Sequence, residues 1–208
     1  MQSVAVIDYN MGNIQSVVNA VKALGFDAYT ADNPKALSKA LRIILPGVGA
    51  FEEGINNLKK LGLADILNKQ VLKNGVPFLG ICLGMQLICR ESHENGIHNG
   101  LGWINATVKK LGENVADLRI PHIGWNVVTP KKPQPLFRNM PDKPTFYFVH
   151  SYCCVCEPDD VVSSECFYGV KFVSSVQKGN IFATQFHPEK SQQAGLRLIK
   201  NFIECEQN

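Results

Sequence analysis

Val76-Pro77-Phe78-Leu79-Gly80-Ile81-Cys82-Leu83-Gly84-Met85-Gln86 is the stretch on which the reading of the fold turns. Val76–Ile81 is a short apolar run, which predicts a strand covered on both faces, as in a parallel sheet. Gly84–Cys89 predicts the opening of a helix. Between them, Gly80-Ile81-Cys82-Leu83-Gly84 has the pattern of a nucleophile elbow, G-x-nucleophile-x-G, with Cys in the nucleophile position. A strand that reverses sharply into a helix leaves no room for a β-carbon on either side of the bend. The bend lifts the central side chain above the carboxyl edge of the sheet. The helix N-terminus beneath Cys82 favours thiolate over thiol, and the backbone N–H of Leu83 points where an oxyanion would form.

Working outward, the same strand–helix alternation fills the first half. Ser3–Asp8 is a strand, Asn10–Asn13 a turn, and Ile14, Val17, Val18, Val21 and Leu24 have helical spacing up to a stop at Gly25. Asp27–Ala31 is a second strand, and Pro34 opens a short helix through Leu37 and Leu41. Arg42–Leu45 is a third strand ending in Pro46-Gly47-Val48-Gly49. A helical segment over about Phe51 to Asn74 is broken near Gly62. This order implies right-handed crossovers and an open, mostly parallel sheet with helices on both faces. The second half is different. Six prolines between Pro121 and Pro144 exclude long helices there. Thr145–Val149, Cys153–Cys156, Lys171–Gln177 and Asn180–Gln185 form an antiparallel extension, followed by a helix over about Gln193 to Glu204. With no repeat and no flexible linker, residues 1–208 are expected to form a single domain.

Composition narrows the function. In 208 residues, 21 Lys and Arg against 18 Asp and Glu leave a net charge of +3, too mild for a nucleic-acid partner. No apolar run reaches the roughly 20 residues that cross a bilayer, so no membrane partner is expected. Seven cysteines, an odd number scattered along the chain without a secretory signal, indicate a cytoplasmic protein with free thiols. Cys153-Cys154-Val155-Cys156 lacks a second ligand pair at zinc spacing, so these thiols are read as strand packing and no metal or other cofactor is expected.

A nucleophilic thiol needs a base, and the base needs an orienting group. Of the five histidines, His187 is the best placed: it follows a strand and precedes Pro188, which restricts it to extended geometry. In an extended segment Glu189, two positions on, projects to the same side and orients the imidazole. His93 and His98 lie in a polar loop and read as surface residues. The Gly47-Val48-Gly49 turn at the same sheet edge offers a second set of oxyanion donors. Gln86, on the first turn after Cys82, reaches toward a substrate amide or toward solvent.

The combination of Gly80–Gln86 with His187-Pro188-Glu189 resembles the class I glutamine amidotransferases. Val6–Asn13, Leu45–Phe51, Pro121–Asn126, Tyr147–Tyr152 and Phe186–Gln192 narrow the resemblance to the glutaminase subunits of imidazole glycerol phosphate synthases. The resemblance implies a flavodoxin-like α/β fold and a Cys82–His187–Glu189 triad that hydrolyses L-glutamine to glutamate and ammonia through a thioester. It implies that Leu83 and Gly47–Gly49 hold the oxyanion, and that Gly49, Gln86 and the His150-Ser151-Tyr152 backbone grip the substrate. It further implies a heterodimer with a (β/α)8-barrel synthase subunit that receives the ammonia for histidine biosynthesis. A mobile Pro46–Gly49 strand would serve as the switch by which that subunit's substrate activates the glutaminase. Asn10, Asn13 and Trp125 are the expected docking positions. The alternatives are a paralogous glutaminase feeding another synthase, such as a surface-sugar amidating enzyme, a cysteine peptidase or redox-sensing thiol protein, and a silent binding subunit.

Overall fold

Strands that must be buried on both faces need apolar side chains at successive positions, and the first half of the chain supplies them. The computed structural model describes residues 3–113, 115 and 117–205. Strand β1 (Ser3–Ile7) leads into helix α1 (Ile14–Ala23), β2 (Asp27–Ala31), α2 (Pro34–Leu37), β3 (Arg42–Gly47), α3 (Phe51–Lys60), α4 (Leu63–Leu67), a π-helical turn (Asn68–Lys73), β4 (Phe78–Cys82) and α5 (Leu83–Leu87). Along β1, Ala5 and Ile7 point into one core, with α2, α3 and α4. Val4 and Val6 point into the other, with α1 and the C-terminal helix α6 (Gln192–Ile203). This two-sided burial accounts for the unbroken apolar runs.

The second half adds β5 (Cys89–Ser92), β6 (His98–Asn99), β7 (Ile104–Lys110), β8 (His122–Pro130), β9 (Thr145–His150), β10 (Tyr152–Cys156), β11 (Val162–Tyr168), β12 (Val170–Lys178) and β13 (Ile181–Thr184). The main sheet has nine strands in the order β2-β1-β3-β4-β13-β12-β11-β8-β9, and a second has the order β10-β7-β5-β6. From β2 to β13 all pairs are parallel, and from β13 to β9 all are antiparallel. The expected mostly parallel sheet with an antiparallel extension is the architecture found.

The structure corrects several local expectations. The helix after Cys82 is five residues long, and Cys89 opens β5 instead of continuing it. Its dipole is therefore that of little more than one turn, and the help it gives a thiolate comes from its first N–H groups. The segment after Phe51 is divided by Gly62, which adopts φ +68°, and closes in the π turn. The helix opened by Pro34 ends at Leu37, four residues short of Leu41. Of the four short strands expected between Thr145 and Gln185, β9, β12 and β13 join the main sheet, whereas β10 pairs with β7 in the second sheet. β13 is the last parallel strand, beside β4, where Thr184 pairs with Ile81, and the antiparallel half begins at its other edge.

Candidate active site

Cys82 ends β4 with φ +53° and ψ −104°, a strained conformation for a residue with a β-carbon and one that turns its side chain out of the sheet. The flanking glycines are sterically required. A β-carbon on Gly80 would lie 2.7 Å from the Gly84 carbonyl oxygen, and one on Gly84 would lie 1.9 Å from that of Leu45. The elbow predicted from the sequence is thus formed, and the chain meets it on both sides with backbone.

His187 reaches Cys82 because β13 and β4 are parallel neighbours whose ends lie together. The His187 N–H donates to the Tyr147 carbonyl at 2.9 Å, tying the segment to β9. Its ring Nδ1 lies 2.8 Å from Glu189 Oε1, and both side chains are buried, at 2% and 5% exposure. The expected pairing is present by a different route. Only His187 is extended; Pro188–Lys190 is a 3-10 turn that folds the carboxylate back onto the ring. Ser191 Oγ donates to the His187 carbonyl at 2.6 Å and accepts from the Tyr147 N–H at 3.0 Å, locking that turn.

His187 Nε2 is buried and makes no hydrogen bond of normal geometry among the described residues. Burial by itself pushes the imidazole pKa down. The Cys82 side chain and then Glu189 outweigh burial and raise it to about 10. The ring is therefore cationic at neutral pH, facing the sulfur on one side and the carboxylate on the other.

A cavity of about 260 Å³ opens at Cys82, lined by Val48, Gly49, Cys82, Leu83, Gln86, Glu94, Val149, His150, Ser151 and Tyr152. Gly47 pairs with Cys82 across β3 and β4, which brings the Gly47–Gly49 turn beside the sulfur, and Gly49 takes φ +110°. Every residue expected to contact substrate lines this cavity except Gly47, which lies directly behind it. Tyr9 packs under this turn: a β-carbon on Gly47 would lie 1.9 Å from its hydroxyl. That hydroxyl is buried and has no partner among the described residues, and burial, with Cys82 second, raises its pKa.

Glu94 was not anticipated. It sits in the polar loop after β5, and only the tertiary structure carries that loop to the cavity, where Glu94 Oε2 accepts the Phe51 N–H at 2.8 Å. No local motif marks it. Nor is Gln86 free to choose between substrate and solvent. Its Nε2 donates to the Tyr152 carbonyl at 3.1 Å and to Gln185 Oε1 at 3.4 Å. The His150 ring is committed to a bonded pair with His122, Nε2 to Nδ1 at 3.1 Å.

Of the expected docking positions, Trp125 is 47% exposed, which excludes a core role. Ile123 and Val127 stand on the same face of β8 and are exposed too. Asn13 caps α1 by accepting from the Ser16 N–H at 3.2 Å. Asn10 adopts φ +63° at the tip of the same loop. His93 is exposed as expected, whereas His98 is half-buried, 3.7 Å from Glu52. Cys153 and Cys154 pack inside β10, and Cys154 Sγ lies 3.3 Å from Cys89 Sγ. Among the described residues, no helix is long and apolar enough to cross a membrane.

Comparison with known proteins identifies the family. The model of the family "Glutamine amidotransferase class-I" matches residues 5–205. The imidazole glycerol phosphate synthase subunit HisH 1 of Campylobacter jejuni strain RM1221 is 50% identical over 200 residues, covering 96% of this chain and 98% of the relative. The HisH subunit of Geobacter sulfurreducens is 42% identical, covering 99% of this chain and all of the relative. Among solved structures, a glutamine amidotransferase superposes with a TM-score of 0.76 at 20% identity over 97% of both chains, a likeness of fold. With the elbow, the paired imidazole and carboxylate, and a family match over almost its whole length, the chain belongs to the class I glutamine amidotransferases, in the branch of the imidazole glycerol phosphate synthase HisH subunits.

Proposed function

We propose that this chain is the glutaminase subunit of an imidazole glycerol phosphate synthase, hydrolysing L-glutamine and passing the ammonia to a synthase subunit of (β/α)8-barrel fold for histidine biosynthesis. One observation carries the reading: a strained cysteine lines a small cavity and is backed by a buried His–Glu pair whose imidazole faces the sulfur. Cys82 attacks the side-chain amide carbon of glutamine, forming a C–S bond as the carbonyl electrons move onto oxygen. The N–H groups of Leu83 and of the Gly47–Gly49 turn hold that oxyanion. When the tetrahedral intermediate collapses, the C–N bond breaks and His187 gives its proton to the departing nitrogen, releasing ammonia. Water, deprotonated by His187, then cleaves the thioester to glutamate and restores the imidazolium. Glu189 holds the ring in the required tautomer and supports its charge.

Glutamine also carries an ammonium and a carboxylate. Glu94 places a carboxylate on the cavity wall for the ammonium, and His150–Tyr152 and Gln86 line the same cavity for the rest of the substrate. The exposed apolar stripe of Ile123, Trp125 and Val127 is the docking face, together with Asn10 and Asn13. We take residues 1–208 as one domain and its compartment as the cytoplasm.

The test is glutamate release from glutamine with and without the synthase subunit and its ligand. Cys82→Ala abolishes turnover, while Cys89→Ala, in the core beyond α5, leaves it largely intact. An active Cys82→Ala enzyme overturns the mechanism. Copurification with a different synthase, a surface-sugar amidating enzyme among them, keeps the chemistry and moves the pathway.

A further inference from the structure

A residue outside the triad touches the reacting sulfur. Gln185 is fully buried, and its Nε2 lies 3.6 Å from Cys82 Sγ. It stands two positions before His187, in the bend that follows β13, and that bend brings both side chains to Cys82. The backbone fixes it as well: the Gln185 N–H donates to the Ser174 carbonyl at 2.9 Å, and Phe186 between the two is stacked on Phe146 at 4.0 Å between ring centres.

The direction of the Gln185 amide is set by a chain of groups that leaves no alternative. The Tyr152 carbonyl can only accept. It faces Gln86 Nε2 at 3.1 Å and His150 Nδ1 at 2.9 Å, so both donate to it. Gln86 sends its other N–H to Gln185 Oε1 at 3.4 Å. With its oxygen occupied in this way, Gln185 presents its NH2 group to the sulfur. The His150 arm is equally determined. With its proton on Nδ1, its Nε2 accepts from His122 Nδ1 at 3.1 Å, and His122 Nε2 accepts from Asn126 Nδ2 at 3.4 Å. A donor held in a buried site without freedom to rotate favours the anion it faces over the neutral thiol.

We propose that Gln185 is a fourth catalytic residue, an amide donor that holds Cys82 Sγ as a thiolate aimed into the cavity, with its orientation locked through Gln86 and the Tyr152 carbonyl. The proposal rests on Cys82 being the nucleophile, and it concerns the sulfur itself, not the reaction that follows.

The experiment measures the rate of Cys82 alkylation by iodoacetamide against pH in the full-length chain, with the labelled peptide quantified by mass spectrometry. Background is low, because burial pushes Cys153, Cys156 and Cys166 up to about 12. Gln185→Met keeps the volume and loses the donor. Gln185→Glu keeps the shape and the bond from Gln86 and turns a negative oxygen to the sulfur. The pH midpoint of alkylation rises by about one unit in Gln185→Met and further in Gln185→Glu. In the complex kcat falls about ten-fold in Gln185→Met with KM little changed, the scale of one charge-assisted hydrogen bond. Gln86→Met, which releases the amide, shifts the midpoint in the same direction by less.

A folded Gln185→Met, or a folded Gln185→Glu should the first not fold, with the wild-type alkylation profile overturns the proposal. A shifted profile in a chain that hydrolyses no glutamine upholds the role of Gln185 and overturns the glutaminase reading instead.

Discussion

At the scale of single residues the site is an exercise in burying charge only where it is paired. His187 and Glu189 are both nearly sealed from solvent and would be costly apart. Removing one charge leaves the other stranded. Glu189→Gln is expected to lower kcat by about a hundred-fold or more, in line with loss of an orienting carboxylate. It also withdraws part of what raises the imidazole pKa. The acidic loss of cationic His187 is absent in either enzyme, so the change appears on the alkaline side: the descending limb of the kcat–pH profile moves to lower pH. Steady-state glutamate release across pH 6 to 10 measures both effects, and an unchanged alkaline limb contradicts the assignment.

At the scale of elements, the decisive unit is the strand–turn–helix of β4 and α5. Its sequence requirement is steric: a β-carbon on either glycine would meet backbone, not the end of a flexible side chain. Gly84→Ala drives a β-carbon into the backbone of β3, which cannot step aside without moving the sheet. A loss of about 3 kcal/mol or more in stability is expected, at the upper end of overpacking costs. Gly75→Ala is the control. It stands at φ +69° with nothing within 4 Å of the added carbon, so it bears only the left-handed backbone strain, about 1 kcal/mol. Thermal unfolding of the pair separates crowding from strain, and equal losses contradict the steric account.

The second element of consequence is the β8–β9 ribbon. The early half of β8 pairs with β9 and the late half with β11, so one long strand serves both the main sheet and the lip of the cavity. This places Trp125 outside, with its ring against Tyr147 at 6.1 Å between centres, while His122 three pairs along lies inside. Trp125→Ala is expected to leave the melting temperature of the free subunit within a few degrees and to weaken binding of the synthase subunit at least ten-fold, read by titration calorimetry.

At the scale of the whole molecule, acid sensitivity follows from the histidine pair joining that ribbon to the site. His122 is packed between Phe148 and Tyr168 at 4.8 and 4.1 Å, and burial lowers its pKa to about 4. Burial, acting against the bond to Tyr152, lowers that of His150 to about 3. Both are neutral when folded and would take a proton at about pH 6.5 when unfolded. Their contribution is therefore complete above pH 6.5 and is lost as pH falls toward 4 and 3. At pH 5 each withdraws about 2 kcal/mol. His187 has the opposite sign: its raised pKa gives a contribution present below pH 6.5 and lost as pH climbs toward 10. Stability is thus expected to peak near neutrality. The melting temperature at pH 5 should fall several degrees below that at pH 7, and His122→Phe should flatten the acidic slope. A melting temperature independent of pH between 5 and 7 contradicts the neutral pair.

How much of this was legible without coordinates depends on the range of the forces involved. The elbow, the His-Pro-Glu turn, the apolar periodicity and the sheet's change from parallel to antiparallel are each written within a few neighbouring residues, because bond geometry, backbone sterics and burial of alternate faces act locally. The strands β5, β6, β7, β8 and β11 escaped notice because their side chains are only partly or irregularly buried. Without a clean alternation, the pattern carries no period. Glu94, the committed amide of Gln86, the direction of Gln185 and the pairing of His150 with His122 had no signature at all. Each follows from hydrogen bonds between segments tens of residues apart. By itself the sequence determined which residues are the candidates for the chemistry and that the chain could bend sharply enough to expose a sulfur. That β13 lies beside β4, and so that an imidazole more than a hundred positions away meets that sulfur with every amide turned the right way, was decided only by the tertiary structure, because strand pairing and polar networks are satisfied across the whole fold and not along the chain.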